Sequence, residues 1–170
     1  RWYSLAKRQM NIAKAVSLGT AEATGDYVIL FTPDGNMLPE KLPELITECK
    51  KGYEYVCVSR YKDDAKSDDD NFITAFGNFF FTKLVNVLFS ANYTDVLGGY
   101  KSAKKSLWNF ISDNKMHVTF GTQLAITCAK NNLKYTEIPG DEPKRIAGKS
   151  SMNVLINGIL ELYTILKAYF

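Results

Sequence analysis

The stretch Tyr27-Val28-Ile29-Leu30-Phe31-Thr32-Pro33-Asp34-Gly35-Asn36 is an apolar run that stops at an acidic turn. Consecutive apolar and β-branched residues followed directly by turn residues are typical of a strand buried on both faces. The Pro-Asp-Gly turn fixes where this strand ends. In open α/β sheets, ligands bind at the edge formed by the carboxyl ends of the strands. The run therefore places Asp34 at a candidate binding edge.

Asp34 and Asn36 are candidate metal ligands at this edge. A carboxylate and an amide two residues apart offer the oxygen ligands that a hard divalent cation prefers. The alternative is a turn in which both side chains bond only to their own backbone.

The next segments extend the pattern to an α/β fold. Residues 39–51 predict a helix, with proline near its start and glycine after its end. Residues 55–60 predict a second buried strand, and a strand, helix and strand of these lengths are typical of a parallel unit. Arg60 then leaves the second strand at the same edge as Asp34. A cation there would suit a diphosphate near a metal, whereas the alternative is a solvated strand end.

The composition is that of one ordinary soluble domain. Of 170 residues, 46% are apolar and 23% are charged, which is enough for one core. The formal net charge of +3 is small and dispersed, so nucleic acid is not an expected partner. Three widely spaced cysteines indicate a reduced, cytosolic setting, and the single histidine leaves no histidine cluster or triad. The sequence contains no uninterrupted apolar run of about 18 residues, so no complete membrane span is predicted.

Two further helices carry broad apolar faces. Residues 73–90 predict a helix with a narrow polar stripe at a spacing of four. It either packs between the sheet and another helix or contacts a lipid surface or lipid-linked acceptor. Residues 152–170 predict an amphipathic C-terminal helix, which would pack on a neighbouring chain or continue toward a membrane-proximal segment. Its apolar face consists of Leu155, Ile159, Leu162, Leu166 and Tyr169, and its polar face of Asn153, Asn157, Glu161 and Thr164.

The connecting segments supply the other candidates. Residues 62–70 form a charged loop with five aspartates, predicted to be a mobile, solvated loop that serves as a flap over the site; a metal site formed by these carboxylates is the alternative. In residues 94–100, Asp95 and paired glycines form a compact element that would face the same pocket if it joins the sheet; a short basic helix is predicted from 103. The cationic loop 141–151 would close over phosphates or be a solvated connection.

Seven short motifs occur in an order that resembles one enzyme family. They are Ala-Thr-Gly-Asp (23–26), Pro-Asp-Gly-Asn (33–36), Val-Ser-Arg-Tyr (58–61), Gly-Asn (77–78), Thr-Asp with Gly-Gly-Tyr-Lys (94–101), Glu-Ile-Pro (137–139) and Arg-Ile-Ala-Gly-Lys-Ser (145–150). The ordered set resembles the family 2 inverting glycosyltransferases of GT-A fold, in particular the dolichyl-phosphate mannose synthase-like, polyprenyl-phosphate sugar transferase branch. The resemblance implies an α/β, GT-A-like (Rossmann-like), mostly parallel sheet flanked by helices. A catalytic domain would cover residues 1–151, and residues 152–170 would be the C-terminal amphipathic helix.

The resemblance also implies roles for individual residues. The family's Asp-X-Asp motif falls on Thr32-Pro33-Asp34, so Asp34 and Asn36 would hold Mg²⁺ or Mn²⁺ on the diphosphate of a nucleotide sugar. Arg60 would contact the donor phosphates. Asp95 would be the acceptor-side base or would orient an acceptor phosphate. The phosphate-holding segment of the late loop consists of residues 145–150, with Arg145, Lys149 and Ser150 as its candidate contacts.

Two features depart from the family pattern. Thr32 stands where the family has the first aspartate, so the ion would be held less tightly, or by substrate oxygens and waters. The family's first two strands have no counterpart, so we expect an N-terminally incomplete catalytic domain with an exposed apolar sheet edge.

The expected function is metal-dependent sugar transfer with inversion, from a nucleotide sugar donor to a saccharide or polyprenyl-phosphate acceptor, as in the synthesis of cell-envelope polysaccharide. The protein would act in the cytoplasm at the inner face of a membrane, with peripheral membrane contact or a homo-oligomer formed through the C-terminal helix. The alternatives are an inactive GT-A-like binding or scaffold domain, which Thr32 favours, and a nucleotidyltransferase.

Overall fold

A four-stranded mixed sheet with helices on both faces organises the part of the chain that the computed structural model describes, residues 12–32, 34–113, 118–146 and 153–170. In chain order the elements are α1 (Ile12–Glu22), β1 (Tyr27–Leu30), a 3-10 turn (Pro39–Lys41), α2 (Leu42–Lys50), β2 (Tyr55–Ser59), α3 (Phe72–Phe89), β3 (Lys101–Lys104), α4 (Lys105–Asp113), α5 (Phe120–Lys130), β4 (Tyr135–Pro139) and α6 (Val154–Tyr169).

The strand order β1-β3-β2-β4 places the predicted edge as expected. β4 pairs parallel to β2, whereas β3 pairs antiparallel to both β1 and β2. Three strands therefore run in one direction, and β1 and β2 end on the same side of the sheet. The predicted α/β class, with a sheet flanked by helices, is confirmed; three of the four described strands share one direction, but only β2 and β4 are parallel neighbours.

Strand β3 is the element that the sequence pattern does not predict. Its residues, Lys-Ser-Ala-Lys, are short and polar, whereas hydrophobic periodicity favours a helix from residue 103. The structure places them between β1 and β2, and the helix begins only at Lys105. The prediction that β1 and β2 run in the same direction is therefore right. The prediction that they form a parallel unit is wrong in pairing, because β3 lies between them.

The two apolar strands differ in burial. Every residue of β2 is buried, as predicted. Every residue of β1 is only half-buried, because β1 has a neighbour on one side only within the described sheet. The prediction that β1 is buried on both faces holds only in part: Val28 and Leu30 pack against one core and Tyr27 and Ile29 against the other, but none of them is fully covered.

Hydrophobic cores lie on both faces of the sheet. Alternate residues of a strand point to opposite faces, so Val56 and Val58 pack toward α2, whereas Tyr55 and Cys57 pack toward the helical layer that contains α3, α5 and α6. The three cysteines, Cys49, Cys57 and Cys128, are buried free thiols.

Helix α3 turns its polar stripe inward. The Asn78 side chain accepts a hydrogen bond from the backbone N–H of Leu97 at 3.2 Å, and the Thr82 side chain accepts one from the backbone N–H of Val96 at 3.1 Å. Farther along, the Asn86 amide exchanges two hydrogen bonds with the backbone of the segment before Val96. These bonds brace residues 93–97, and they leave the aromatic side of α3 facing outward.

Helix α6 shows the same inversion. Glu161 is buried and accepts a 2.6 Å hydrogen bond from the Thr122 hydroxyl, and the hydroxyls of Thr164 and Thr119 lie 2.8 Å apart. The polar side of α6 thus packs on α5. The predicted apolar face, formed by Leu155, Ile159, Leu162, Leu166 and Tyr169, is exposed in the single chain.

Within the described ranges, α3 is long and apolar enough to cross a membrane by length and composition, although no complete span is predicted from the sequence. Its inward stripe, however, is hydrogen-bonded to the domain at three turns, and one helix of this kind also occurs in soluble proteins.

Glu161 gives the fold a pH-dependent weakness. Burial raises the pKa of its carboxyl group, opposed by the Thr122 hydrogen bond and the charge of Lys101. An acid whose pKa is higher in the folded state than in the unfolded state disfavours folding at neutral pH. This cost disappears as the pH falls below about 4.3, the ordinary pKa of glutamate.

We predict that Glu161→Gln, which keeps an acceptor for Thr122, melts at a higher temperature than the parent protein at pH 7. The difference should shrink near pH 4, because the parent carboxyl is then protonated in both states. Thermal circular dichroism measures both. Glu40→Gln, at an exposed position, is the control and should change little, and a less stable Glu161→Gln protein at pH 7 would contradict the account.

Candidate functional site

The predicted site residues within the described ranges meet at the carboxyl ends of β1 and β2. Beyond β1, the turn carries Asp34 and Asn36, and beyond β2 the chain continues into Arg60. A chain of contacts through Glu142 joins these residues to one another, and Arg145 pairs with Asp34. Two further candidates, Lys149 and Ser150, lie outside the described residues.

The strongest contact is a bidentate ion pair between Arg60 and Asp95. Arg60 Nε lies 2.6 Å from Oδ2 of Asp95, and Nη2 lies 3.0 Å from Oδ1. The backbone N–H of Arg60 also donates to Oδ2, at 3.2 Å. Asp95 is 0% exposed. Such two-point pairs are strong and fix the direction of the guanidinium plane.

This pairing sets the protonation of both groups. Burial alone would raise the pKa of Asp95, but the Arg60 charge and its hydrogen bonds outweigh burial and hold that pKa below its usual range. Burial lowers the pKa of Arg60, yet Asp95 and two further carboxylates keep it above its ordinary value. A carboxylate with a lowered pKa is a weak proton acceptor. The geometry therefore suits Asp95 better to hold Arg60 than to act as a base.

Two more carboxylates complete the surroundings of Arg60. Its Nη1 lies 3.0 Å from Asp70 Oδ2 and 3.1 Å from Glu142 Oε2. The guanidinium is thus bonded to carboxylates on three sides. These contacts use four of its five N–H groups, so a diphosphate that binds Arg60 through two N–H groups must replace a carboxylate, and Asp70 and Glu142 each hold a single bond.

Part of the acidic loop 62–70 belongs to the site. Asp70 binds Arg60, and Asp69 lies 3.0 Å from Nη2 of Arg145. The prediction of a purely solvated loop is wrong for these two residues, because arginines from other segments neutralise them. It holds for the exposed aspartates of the loop, Asp63, Asp64 and Asp68.

Glu137 fixes the backbone beside Asp95. Its carboxylate accepts the backbone N–H groups of Thr94 and Asp95, at 2.7 and 3.0 Å, and the Thr94 hydroxyl at 2.8 Å. On the other side, the N–H of Gly98 donates to Asp95 Oδ1 at 2.8 Å. A Cβ atom at Gly98 would lie 2.9 Å from Oδ2 of Asp95, so only glycine allows this approach.

The turn after β1 gathers three oxygen atoms. The Thr32 hydroxyl donates to Asp34 Oδ1 at 2.8 Å and lies 3.5 Å from Asn36 Oδ1. Asn36 is buried, and its amide nitrogen donates to Glu142 Oε1 at 3.2 Å. The side-chain oxygens of Asp34 and Asn36 therefore face one small space, with Thr32 between them.

The donor set fits a hard divalent cation that keeps other ligands. In the part of the chain that the structure describes, no three acidic, histidine or cysteine side chains converge as a ready metal cluster. One carboxylate with an amide and a hydroxyl instead matches Mg²⁺, which commonly binds one or two carboxylates and takes its remaining ligands from water and phosphate. The site also has more carboxylates than guanidinium groups, which favours a cation. The carboxylates are Asp34, Asp69, Asp70, Asp95 and Glu142, and the guanidinium groups are Arg60 and Arg145.

The segment up to residue 146 folds over this turn. Arg145 Nε lies 3.4 Å from Asp34 Oδ2, so the two side chains form an ion pair. Among the described residues, this Nε has no hydrogen-bond partner. The N–H of Ile146 donates to the Asp34 carbonyl at 2.9 Å. Gly35 has φ +89°, and a Cβ there would lie 2.5 Å from Ile146 Cδ1. The predicted cationic loop thus begins directly against the candidate metal turn.

The cavities show that the site is filled by its own side chains. The space at this edge is only about 20 Å³ and is bordered by Asn36, Arg60 and Glu142. A larger cavity of about 460 Å³ lies between α4, α5 and α6 and shares no lining residue with the site. The larger cavity therefore does not locate the candidate chemistry.

Four site residues escape the sequence reasoning. Glu137 lies in β4, shortly before the turn residues Pro139 and Gly140, so an acid near a strand end and before turn residues is a signal that it shares with Asp34. Glu142, Asp69 and Asp70 carry no such signal, because loop residues are brought to the site by tertiary contacts alone.

Comparisons with known proteins identify the class. The sequence model of glycosyl transferase family 2 matches residues 3–109, a range that includes Asp34, Arg60 and Asp95. The chain belongs to glycosyl transferase family 2.

Individual relatives are more distant. The chain is 26% identical over 168 residues to the undecaprenyl-phosphate 4-deoxy-4-formamido-L-arabinose transferase of Enterobacter sp. (strain 638), covering 95% of this chain and 48% of that protein. A mycobacterial protein of known structure superposes with a TM-score of 0.64 at 15% identity, over 92% of this chain and 51% of the other. Glucosyl-3-phosphoglycerate synthase from Mycobacterium tuberculosis, in complex with UDP, gives a TM-score of 0.56 at 14% identity, over 92% and 54%.

These likenesses confirm the predicted GT-A fold. The chain spans about half the length of these relatives.

We predict that Asp95→Asn weakens the fold in a pH-dependent way. Arg60 then keeps only two carboxylates, so the free energy of unfolding at pH 7 should fall by an amount toward the lower end of roughly 3–5 kcal/mol. The parent protein should lose the contribution of Asp95 as the pH falls below about 4, the ordinary pKa of aspartate, and through its lower folded value. The variant should lack that acid-dependent loss.

Urea denaturation at a series of pH values measures both effects. Asp68→Asn is the matched control, because Asp68 is an exposed aspartate of the acidic loop 62–70. It should leave stability and its pH profile unchanged. Equal losses in the two variants would show that the Arg60 pair does not carry this stability.

Proposed function

We propose that this protein transfers a sugar from a nucleotide-diphosphate sugar to an acceptor, with inversion. Membership of family 2 supports glycosyl transfer, and the UDP in the complex of the structural neighbour supports a nucleotide donor. The observation that carries the proposal is the grouping of Asp34, Asn36 and two arginines at the carboxyl edge of the sheet.

On the donor side, Asp34 and Asn36 would hold Mg²⁺ or Mn²⁺. A divalent cation there neutralises negative charge that develops on a leaving diphosphate. Arg145 now pairs with Asp34 and Asp69, and it would exchange one of these carboxylates for a donor phosphate. Lys149 and Ser150 would add contacts from the same loop.

Arg60 and Asp95 would act on the phosphates. Arg60 would meet a donor or acceptor phosphate oxygen by giving up Asp70 or Glu142. Asp95 would hold the guanidinium plane in place while that exchange occurs, because it binds through two oxygens and is fully buried. Asp95 is thereby a positioning residue.

The acceptor that best fits this arrangement is a polyprenyl phosphate. A phosphate monoester is ionised near neutral pH, so its oxygen needs no strong base, and Asp95 with its lowered pKa is a weak one. The named relative is an undecaprenyl-phosphate transferase, which favours the same acceptor class. A saccharide hydroxyl is the alternative acceptor. We place the reaction at the cytoplasmic face of a membrane.

The transfer reaction is tested by supplying a panel of radiolabelled UDP- and GDP-sugars, with Mg²⁺ or Mn²⁺, to the protein together with undecaprenyl phosphate in detergent. Transfer of label to the organic phase supports the proposal, and its anomeric configuration, read by NMR, tests inversion. If no labelled sugar moves to lipid or saccharide acceptors, the inactive-domain alternative gains; transfer of a nucleotidyl group would identify a nucleotidyltransferase.

We predict that Asp34→Asn weakens binding of Mn²⁺ with UDP or GDP by at least about tenfold, because metal sites lose that much even when outer groups are removed. Isothermal titration calorimetry measures the binding. The melting temperature should stay nearly constant, since the Asp34 ion pair with Arg145 is partly exposed and contributes little. Asp64→Asn, in the exposed part of the acidic loop, is the control. Undiminished binding by Asp34→Asn would remove Asp34 from the metal site.

We also predict that Thr32→Asp tightens Mn²⁺ binding, because a second carboxylate raises the ligand charge around a hard cation. Thr32→Val is the matched control, since it removes only the hydroxyl that lies between Asp34 and Asn36. The same titration compares the three proteins. Weaker binding by Thr32→Asp would mean that this position points away from the ion.

A further inference from the structure

The outward sides of α3 and α6 form one apolar surface, and we propose that it docks the protein on a lipid bilayer that contains anionic headgroups. We call it the α3–α6 face, defined by exposed side chains of the two helices. Its central members are Phe72, Phe76 and Phe79 of α3 and Leu155, Ile159 and Leu162 of α6.

The two helices lie side by side, so their outward sides are continuous. A ring carbon of Phe81 lies 3.9 Å from the position of a Cβ on Gly158, which lets α6 approach closely. The rings of Phe89 and Tyr169 meet edge to face, with centroids 6.1 Å apart. A contiguous apolar surface of this kind marks an interaction site.

The polar contacts of both helices explain why this surface cannot turn inward. α3 must present Asn78 and Thr82 to the 93–97 backbone, and α6 must present Glu161 and Thr164 to α5. Rotating either helix to bury its apolar side would leave these groups without partners. The exposure is therefore fixed by the fold.

Charge selects the occupant. The helices carry three charged side chains in all: Lys83 and Lys167, which are exposed, and Glu161, which is buried. Lys83 Nζ lies 5.9 Å from the ring centroid of the exposed Phe79, and Lys167 Nζ lies 5.8 Å from that of the exposed Tyr163. Among the described residues, neither ammonium group has a hydrogen-bond or ion-pair partner, and lysines that rest on an apolar face in this way are suited to the headgroup region above it.

A second copy of the chain is a poorer fit. A two-fold dimer places the same face against itself, so the lysines of each copy would meet a face whose only acid, Glu161, is buried and cannot pair with them. The acids nearest to the start of α3, Asp69 and Asp70, are paired with arginines in the site.

The face also begins at the candidate site. Asp70 binds Arg60, the Asn71 side chain caps α3 by accepting the N–H groups of Ile73 and Thr74, and Phe72 is 85% exposed. One residue thus separates a site carboxylate from the apolar surface. Docking would bring a lipid-linked phosphate to the side of the site that Arg60 occupies; this last step rests on the proposed function, whereas docking itself does not.

The test is vesicle flotation of the intact chain with phosphatidylcholine alone and with phosphatidylcholine mixed with phosphatidylglycerol. We expect binding to the anionic vesicles, reversible as for other interfacial helices. Phe76→Glu and Ile159→Glu should each reduce binding by about tenfold or more, since each places a charge where docking would bury a large, exposed apolar side chain. Lys83→Gln and Lys167→Gln should each reduce it by about fivefold at low ionic strength.

Ile46→Glu is the matched control, because Ile46 is 42% exposed on α2, across the sheet from the α3–α6 face. It should bind like the parent protein. Near-ultraviolet circular dichroism establishes that each variant is folded, which the exposure of these side chains leads us to expect.

Three outcomes would overturn the proposal. The first is that the folded parent protein does not float with the vesicles, and the second is that Phe76→Glu and Ile159→Glu leave flotation unchanged. The third is a dimer in light scattering that Phe76→Glu dissociates, which would make the face a self-interface. Calorimetry with Mn²⁺ and UDP or GDP, done without lipid, separates this inference from the proposed function. Lost flotation with intact nucleotide binding defeats only the docking surface, and the converse defeats only the donor site.

Discussion

The buried ion pair between Arg60 and Asp95 is the interaction on which the site depends. It joins the end of β2 to the turn before β3, and both partners are held from several sides. Glu137 in the middle of β4 fixes the backbone at Asp95, and the N–H group of Gly98 donates to the Asp95 carboxylate at 2.8 Å. A buried pair stabilises a structure only if its charges are well hydrogen-bonded, and here Asp95 accepts four hydrogen bonds.

The same segment explains the unusual surface of the molecule. Residues 93–97 run over α3, and their backbone N–H groups need acceptors because they are buried. The polar stripe of α3 supplies those acceptors, which forces the aromatic side of the helix outward. The geometry of the site and the presence of an apolar face are thus two results of one packing arrangement.

The sequence predicts what local patterns determine. Apolar runs with turn residues locate β1 and β2, and strand direction then brings Asp34 and Arg60 to one edge. The polar strand β3 has no such pattern; its burial comes from its neighbours. The amphipathic periods of α3 and α6 are also visible, but not which side faces in, because that depends on hydrogen-bond partners such as Val96 and Thr122. Glu142 reaches the site by tertiary folding alone.

The central claim, a nucleoside-diphosphate and metal site at this edge, is tested most directly by paramagnetic broadening in NMR spectra of a protein labelled at isoleucine δ1 methyl groups. Ile146 lies against Gly35 in the candidate metal turn, whereas Ile126 lines the cavity between α4, α5 and α6. The account predicts that Mn²⁺ added with UDP or GDP broadens the Ile146 methyl signal far more strongly than that of Ile126, and that Mg²⁺ broadens neither. Equal broadening of both signals, or none at Ile146 when the nucleotide is bound, would contradict it.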